Sequence, residues 1–345
     1  MEKQWPYLEQ RLLDLLAIPS PSGFTHAANK FLTQQLDQLD VEWKRTGKGA
    51  VVVTLPGKDD VNQRTVSAHI DTLGAMVKEI KSNGCLKLTS IGGLGWANVE
   101  GENCLVHTGK GETISGTLLL NKASVHVHGK DTETEQRKDD TMQLRLDHKV
   151  SNPEEVRQLG IEVGDFVTFE PRTRSTNGFF KSRHLDDKAG VAIMLAAIKE
   201  LKENNIQLPC TSNFFFSHYE EVGHGGAAGL PPNTRQFLCI DMGAPGEGQQ
   251  SDEFSVSICA KDSSGPYCHT FTRQLIDLAQ KNKIPYKVDI YPYYGSDATA
   301  ALRSGHDFQA ALIGPGVDSS HSYERTHKDS LLATYNLTMA WLQSK

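Results

Sequence analysis

Three consecutive phenylalanines at 214–216 constrain the fold of this chain most strongly, because such an apolar run is typical of a buried strand. The adjacent carboxylates of Glu220 and Glu221 follow the run, and a glycine-rich loop comes next. Neighbouring side chains of a regular strand point to opposite faces, so the two carboxylates can share a site only where the strand stops. Such a pair is most often solvated surface charge. At the end of a buried strand it also suits a site in which one carboxylate binds a metal and the other transfers protons.

Helical and strand patterns alternate on both sides of a central segment that is rich in short strands. The sequence predicts helices at about 7–17, 26–39, 189–204, 269–281, 296–303 and 329–342. It predicts strands at 50–55, 65–69, 214–217, 237–241, 254–260, 287–290 and 309–313. This order indicates one discontinuous α/β domain, residues 1–74 and 174–345, interrupted by an inserted β domain, residues 75–173.

The inserted segment has hardly any helical pattern. Strand candidates lie at 75–80, 86–91, 113–120, 124–128, 142–146 and 165–170, with turn residues between them. This spacing is typical of a small all-β barrel or sandwich. The charge-dense stretch 129–140 is predicted to be a mobile, solvated loop, with contact to a neighbouring subunit as the alternative.

Composition excludes several classes of function. With 345 residues and a net charge of −6, the chain has no general electrostatic reason to bind nucleic acid or an anionic membrane. Its first residues lack the pattern of a secretory signal and no apolar stretch reaches membrane-spanning length, so we expect a cytoplasmic protein. The six cysteines form no CxxC pair, which favours buried free thiols over disulfides or a cysteine metal site.

Potential metal ligands recur where predicted strands end or loops begin. They are His69 with Asp71, Asp186 with Asp187, Glu220 with Glu221, Asp241, and His321. Carboxylates and imidazoles without a thiolate suit zinc, cobalt or manganese. If one carboxylate bridges two ions, five ligands provide three protein donors to each ion and leave a position for water. Such a pair of ions is suited to the hydrolysis of an amide bond.

The order and approximate spacing of these motifs resemble the dinuclear metallo-aminopeptidases of peptidase family M42, which include glutamyl, deblocking and tetrahedral aminopeptidases. The matching segments are His69-Ile70-Asp71, residues 185–190, residues 220–223, Ile240-Asp241, His321-Ser322, and the stretches 18–23 and 295–298. Each motif is weak alone, but the ordered set is specific and covers nearly the whole chain. The resemblance implies a phosphorylase/hydrolase-like (Zn-peptidase) α/β/α sandwich with an inserted small all-β, barrel-like domain.

By this resemblance two divalent ions, zinc or cobalt foremost and manganese as a further option, are bound per subunit. Asp186 is implied as the bridging carboxylate. His69 and Asp241 complete one ion, and Glu221 and His321 complete the other. The choice of Asp186 over its neighbour rests on the analogy alone, and the two aspartates could instead cap the helix that follows them.

The resemblance also implies two catalytic residues. Glu220 is the general base, which takes a proton from the bridging water and passes it to the leaving amine. Asp71 orients His69 through the second ring nitrogen of the imidazole.

Four other histidines remain open. His126 and His128 lie two residues apart on a predicted strand and could bind a metal, but no further ligand is evident near them in the sequence. His218 and His224 flank the glutamates and could touch substrate, although packing roles are at least as common.

The function implied by the resemblance is an aminopeptidase that removes amino-terminal residues from short peptides with a dinuclear metal-bound hydroxide. The alternative is a specialised dinuclear-metal amidohydrolase or deacylase for an N-blocked or peptide-like molecule. It is considered because residues that depart from the usual family motifs, such as Thr72, Lys188 and His224, are expected around the site. A glycosidase would give His69 and His321 no role. A non-catalytic binding protein would be expected to lack a ligand or the base. Self-association through the inserted domain, from dimer up to dodecamer, is also implied.

Overall fold

The computed structural model describes residues 3–345. The chain divides into two compact units. The α/β unit comprises the chain up to Asp71 together with Arg172–Lys345, and the barrel unit comprises Thr72–Pro171.

The strands and helices are numbered in chain order. The strands are β1 (Trp43–Arg45), β2 (Val51–Leu55), β3 (Gly57–His69), β4 (Gly74–Ile80), β5 (Leu86–Ile91), β6 (Asn103–His107), β7 (Thr113–Leu120), β8 (Met142–Leu146), β9 (Phe166–Phe169), β10 (Arg174–Thr176), β11 (Phe179–Ser182), β12 (Leu208–Ser217), β13 (Thr234–Ile240), β14 (Val256–Asp262), β15 (Gly265–Pro266), β16 (Tyr286–Ile290), β17 (Gln309–Pro315) and β18 (Glu324–His327). The helices are α1 (Trp5–Leu16), α2 (His26–Gln38), α3 (Val125–His128), α4 (Asp131–Thr134), α5 (Pro153–Gln158), α6 (Leu185–Glu203), α7 (His269–Lys281), α8 (Asp297–Arg303) and α9 (Lys328–Gln343).

The α/β unit is built on one mixed sheet. Within residues 3–345 it has nine strands, in the order β1-β2-β12-β3-β13-β17-β14-β15, with β16 paired to β14. The central strands β12, β3, β13 and β17 run parallel. Because carboxyl ends of parallel strands meet at the same edge of a sheet, the residues that follow β3, β12 and β13 come together there.

The phenylalanine run predicted to be a buried strand forms the end of β12. Phe214, Phe215 and Phe216 are all fully buried. Helix α6 is buried along most of its length and packs on β3, α1 and α9. Strands buried on both faces are expected to be apolar throughout, and this is why the run does not alternate with polar residues.

The barrel unit is a closed barrel in the order β4-β5-β8-β7-β6-β9. Its interior is filled by apolar side chains that include Val77, Leu88, Val106, Leu118 and Val167. The predicted fold class, an α/β domain with an inserted small all-β barrel, is confirmed.

One strand prediction in this segment is wrong. Residues 125–128 form the short helix α3, and Val125 and Val127 are 52% and 74% exposed. The alternating valines therefore do not mark a buried face, and the two histidines of this helix lie among solvated neighbours. The charge-dense stretch that follows contains α4, and its Arg137 forms an ion pair with Glu100 at 2.7 Å.

None of the helices in residues 3–345 has the length and apolar character needed to cross a membrane. All six cysteines are free thiols, four of them buried and two half-buried.

Candidate metal centre

The predicted ligands meet at the carboxyl edge of the central sheet. His69 is the last residue of β3 and pairs in register with Ser217, the last residue of β12. Asp241 directly follows β13, and Glu220 and Glu221 follow β12 after a turn. The sheet topology thus brings together residues that are far apart in sequence.

The turn after β12 is what lets two adjacent carboxylates enter one site. Tyr219 adopts a positive φ of 74°, which breaks the strand before Glu220. The ligating atoms of His69, Glu220 and Asp241 lie within 4.8 Å of one another, and so do those of His69, Asp186 and Glu221.

Asp186 occupies the centre of the site. One carboxylate oxygen, Oδ1, lies 3.0 Å from His69 Nε2, and the other lies 3.6 Å from His321 Nε2. His321 Nε2 is also 3.6 Å from the Glu221 carboxylate. One carboxylate with an oxygen turned to each of two histidines is the arrangement that a bridging ligand requires.

Asp187 has a different environment, although it is the next residue. Its Oδ1 accepts a hydrogen bond from the Gly190 N–H at 3.1 Å, and its Oδ2 accepts one from the His69 N–H at 3.2 Å. Asp187 therefore caps the regular part of α6 and anchors the end of β3, while Asp186 faces the histidines.

Asp71 lies beside the second ring nitrogen of His69, and the contact is made by its main chain rather than by its carboxylate. His69 Nδ1 donates to the main-chain oxygen of Asp71 at 2.8 Å, whereas the carboxylate is 3.9 Å away. That carboxylate instead accepts hydrogen bonds from the N–H groups of Glu220, at 3.2 Å, and Glu221, at 3.4 Å, and from the hydroxyl of Ser22. Asp71 thus orients the His69 ring with its carbonyl and holds the main chain of the two glutamates with its side chain.

The charges in this cluster fit divalent cations. Burial raises the pKa of Glu220 and of Glu221 well above the usual range, and it raises the pKa of Asp241 to about 7. Burial also opposes charge on His69, but hydrogen bonding to Asp186 raises its pKa well above the usual value. Clustered buried carboxylates repel one another, and a bound cation relieves that repulsion. A donor set of carboxylates and imidazoles without thiolates suits zinc, cobalt or manganese.

Glu324 is a site residue that sequence reasoning missed. It is buried, and its two carboxylate oxygens accept hydrogen bonds from the N–H groups of Asp186 and His321. Burial raises its pKa to about 8. The signal available in the sequence was a glutamate three residues after a candidate ligand, in a segment too short and polar to be predicted as a strand.

Asp297 explains the glycines that follow the paired glutamates. It is buried at the start of α8 and accepts a hydrogen bond from the hydroxyl of Ser217. A Cβ atom on Gly225 or Gly226 would lie 2.2 Å from an oxygen of Asp297. The pair of glycines therefore lets the loop after β12 pack against α8.

His218 and His224 are engaged within the protein. His218 Nε2 accepts a hydrogen bond from the Gly23 N–H at 2.8 Å, and Nδ1 lies 3.3 Å from the hydroxyl of Thr25. The rings of His218, Tyr219 and His224 form a stack. These contacts favour the packing role for both histidines.

A cavity of about 390 Å³ opens beside the cluster. Its lining includes Asp186, Glu220, Glu221, Asp241, His321, Tyr294 and the face of α8 that carries Ser296, Thr299, Ala300 and Arg303. This volume lies within the range of about 300–1,000 Å³ that small-ligand sites occupy. A larger groove beside β1 and β2, about 770 Å³, has no histidine among its described lining residues.

Gly314 of β17 is expected not to tolerate alanine. The Asp241 N–H donates to the main-chain oxygen of Ile313 at 3.0 Å, and a Cβ atom on Gly314 would lie 1.5 Å from the main-chain oxygen of Asp241. Gly314→Ala should lower the free energy of unfolding by about 1–3 kcal/mol or more, because the two backbones must separate. Urea unfolding of the metal-free protein measures this, with Gly246→Ala as the control because no atom lies within 4 Å of its added Cβ. Equal midpoints for the two variants would contradict the prediction.

The chain is similar to known proteins in sequence and in fold. A family model described as M42 glutamyl aminopeptidase matches residues 49–337. The Bacillus subtilis (strain 168) protein YhfE, named as an aminopeptidase, is 49% identical over 332 residues and covers 96% of both chains. The lysyl aminopeptidase of Pyrococcus furiosus is 25% identical over 316 residues, which are 89% of this chain and 88% of that one.

Among solved structures, the Pyrococcus horikoshii TET1 peptidase superposes with a TM-score of 0.86 at 22% identity and covers 98% of this chain and 100% of that one. That peptidase can assemble into a tetrahedron or a large octahedral shell. At this identity the likeness shows the fold. The family match over most of the chain and the 49% identical relative confirm what the motifs resemble: the chain belongs to the M42 peptidase family of metal-dependent aminopeptidases.

Proposed function

We propose that this aminopeptidase releases amino-terminal residues from short peptides with two divalent ions held by His69, Asp186, Glu221, Asp241 and His321. The observation that carries the proposal is the position of the Asp186 carboxylate, with one oxygen toward His69 and the other toward His321. Asp186 is then the shared ligand. His69 with Asp241, and Glu221 with His321, complete the two sets of three donors.

The donors are oxygen and nitrogen atoms, so zinc or cobalt is the proposed metal, and manganese is compatible with the same set. When bound, such ions polarise the carbonyl of a scissile amide and lower the pKa of water. The carbonyl of Asp71 accepts the hydrogen bond from His69 Nδ1, which leaves Nε2 directed at Asp186.

Glu220 is the proposed general base. Its carboxylate lines the cavity, its side chain is 14% exposed, and one of its oxygens lies 3.7 Å from His69 Nε2. The hydrogen bond from its N–H to Asp71 fixes the backbone from which the side chain extends. A proton taken from water at a Glu220 carboxylate oxygen can be delivered to the nitrogen of the leaving amine.

A matched panel of short peptides, with free and with N-acetylated amino termini, tests this function. The full-length protein is loaded with cobalt or zinc, and a chelator-treated sample serves as the control. Release of single residues from free amino termini that the chelator abolishes is the expected result. Hydrolysis of the blocked peptides alone would contradict the aminopeptidase and support the specialised amidohydrolase.

Arg303 favours substrates with an acidic amino-terminal side chain. It is the only lysine or arginine that lines the cavity in the part of the chain that the structure describes. Helix α8 begins beside the ligands, and Arg303 lies about 10 Å further along the same helix face. Family membership alone does not decide the preference, because the matched relatives include glutamyl and lysyl names.

Arg303→Gln is therefore expected to reduce the preference for an amino-terminal glutamate over a leucine by roughly fivefold. An exposed ion pair contributes about 1 kcal/mol, which sets this modest size. The measurement is kcat/KM on the p-nitroanilides of glutamate, leucine and lysine. Arg235→Gln, on an exposed arginine of β13, is the control. An unchanged glutamate-to-leucine ratio in Arg303→Gln would contradict the prediction.

We also propose self-association through the inserted domain, residues 75–173. The proposal is supported by the assembly of the Pyrococcus horikoshii relative. Light scattering on the full-length protein would test it, and a monomer at micromolar concentration would contradict it. The cytoplasmic location stays a prediction, which cell fractionation would test.

A further inference from the structure

We propose that Glu324 is a positioning residue that sets the separation of Asp186 and His321 before any ion binds. The inference rests on the two-ion site proposed above and assigns a task to a residue that contributes no ligand atom to it. The inference follows from hydrogen bonds to main-chain N–H groups, and these bonds are not visible in the sequence motifs of the ligands.

The geometry is that of a clamp with two arms. Glu324 Oε2 accepts a hydrogen bond from the Asp186 N–H at 3.1 Å, and Oε1 accepts one from the His321 N–H at 3.1 Å. Asp186 belongs to the start of α6, whereas His321 lies in the loop before β18. One side chain therefore joins two segments that each supply a proposed ligand.

The main chain of Glu324 is itself held in place. Glu324 begins β18 and pairs in register with Ser182, which ends β11 shortly before α6. The antiparallel pairing thus aligns the segment that leads to Asp186 with the segment that follows His321. The side chain, only 2% exposed, then reaches both N–H groups from this fixed point.

A glutamate is required by the number and direction of these hydrogen bonds. Two buried N–H groups need two acceptors, and each of the two side-chain oxygens of a glutamate can accept from one of them. Glutamine has a single acceptor oxygen, so its amide NH₂ would face one of the two donors. An unsatisfied buried N–H is unfavourable, and the segment that carries it is expected to shift.

Glu324→Gln in the full-length protein tests the proposal, and Glu253→Gln is the matched control. Glu253 lies beside the same strand and pairs with Arg325 at 2.7 Å, away from the ligands. The readouts are the ions retained after dialysis, the affinity for Co²⁺, its visible absorption spectrum, and circular dichroism of the metal-free protein. Glu324→Gln is expected to bind the ion assigned to His321 and Glu221 about 10- to 100-fold less tightly with an unchanged fold, and excess metal should restore kcat at an unchanged KM.

Wild-type affinity and an unaltered cobalt spectrum in Glu324→Gln would overturn the proposal, as would an equal loss in Glu253→Gln. Hydrogen exchange on the metal-free wild-type protein tests the clamp even if the variant does not fold. Slow exchange of the amides of Asp186 and His321 is expected, and fast exchange of both would overturn the clamp. A wild-type protein that binds fewer than two ions would refute the proposed site itself, and this result is distinct from a normal site that tolerates Glu324→Gln.

Discussion

Glu220→Gln is expected to lower kcat by about 10²- to 10⁴-fold while the metal centre stays loaded. Glutamine has nearly the same size as glutamate, but its amide cannot take a proton from water. Glu220 is outside the proposed ligand set, and its N–H is held by Asp71, so the substitution should leave the backbone in place.

The measurement combines kcat on the best peptide of the panel with the metal content per chain. Glu247→Gln, on an exposed glutamate, controls for a general effect of losing one negative charge. Near-normal turnover in Glu220→Gln would refute the general base. Loss of an ion would instead indicate that Glu220 is a ligand. Its carboxylate is close enough for that role, because its ligating atom lies within 4.8 Å of those of His69 and Asp241.

His321→Ala is expected to remove one ion per chain and to lower kcat/KM by about 100-fold or more. The ion that His321 helps to hold would keep only Glu221 and the shared Asp186, and two protein donors are too few for a stable site. The loss should be selective, because His69 and Asp241 still hold the other ion together with Asp186.

Elemental analysis of dialysed protein gives the ion count, and His269→Ala, on an exposed residue at the start of α7, is the control. A drop from two ions to one in His321→Ala alone is the expected result. Two ions retained in His321→Ala would exclude this histidine from the ligand set. A similar loss in the control would show that the effect is not specific to the site.

Several of the proposed ligands could be predicted from the sequence because they follow a strand or precede a helix with a clear pattern. His69 and Asp241 come at the ends of β3 and β13, and the topology of a parallel sheet places such residues at one edge. The separate environments of Asp186 and Asp187 could not be read in this way, because neighbours in sequence give no indication of which carboxylate turns toward the site.

Glu324 and the contacts of the Asp71 side chain were missed for a related physical reason. Glu324 and the side chain of Asp71 act on main-chain N–H groups, and such partners are defined by the folded backbone rather than by residue type. Strand β18 is short and polar, so it has no apolar alternation to detect. The strand predicted at 124–128 was wrong for the opposite reason, because the alternating valines there face solvent.

The barrel unit is inserted between the proposed ligands in sequence, and this order has a consequence for synthesis of the chain. His69 precedes the barrel, whereas Asp186 and the other proposed ligands follow it. As the chain leaves the ribosome, the barrel is complete in sequence before the second ligand has been made, and domains generally fold as units in this order. His321 is the last of the five to be made. A nascent chain therefore lacks a complete set of the proposed ligands until His321 has been translated, and we expect no peptidase activity from the chain before that point.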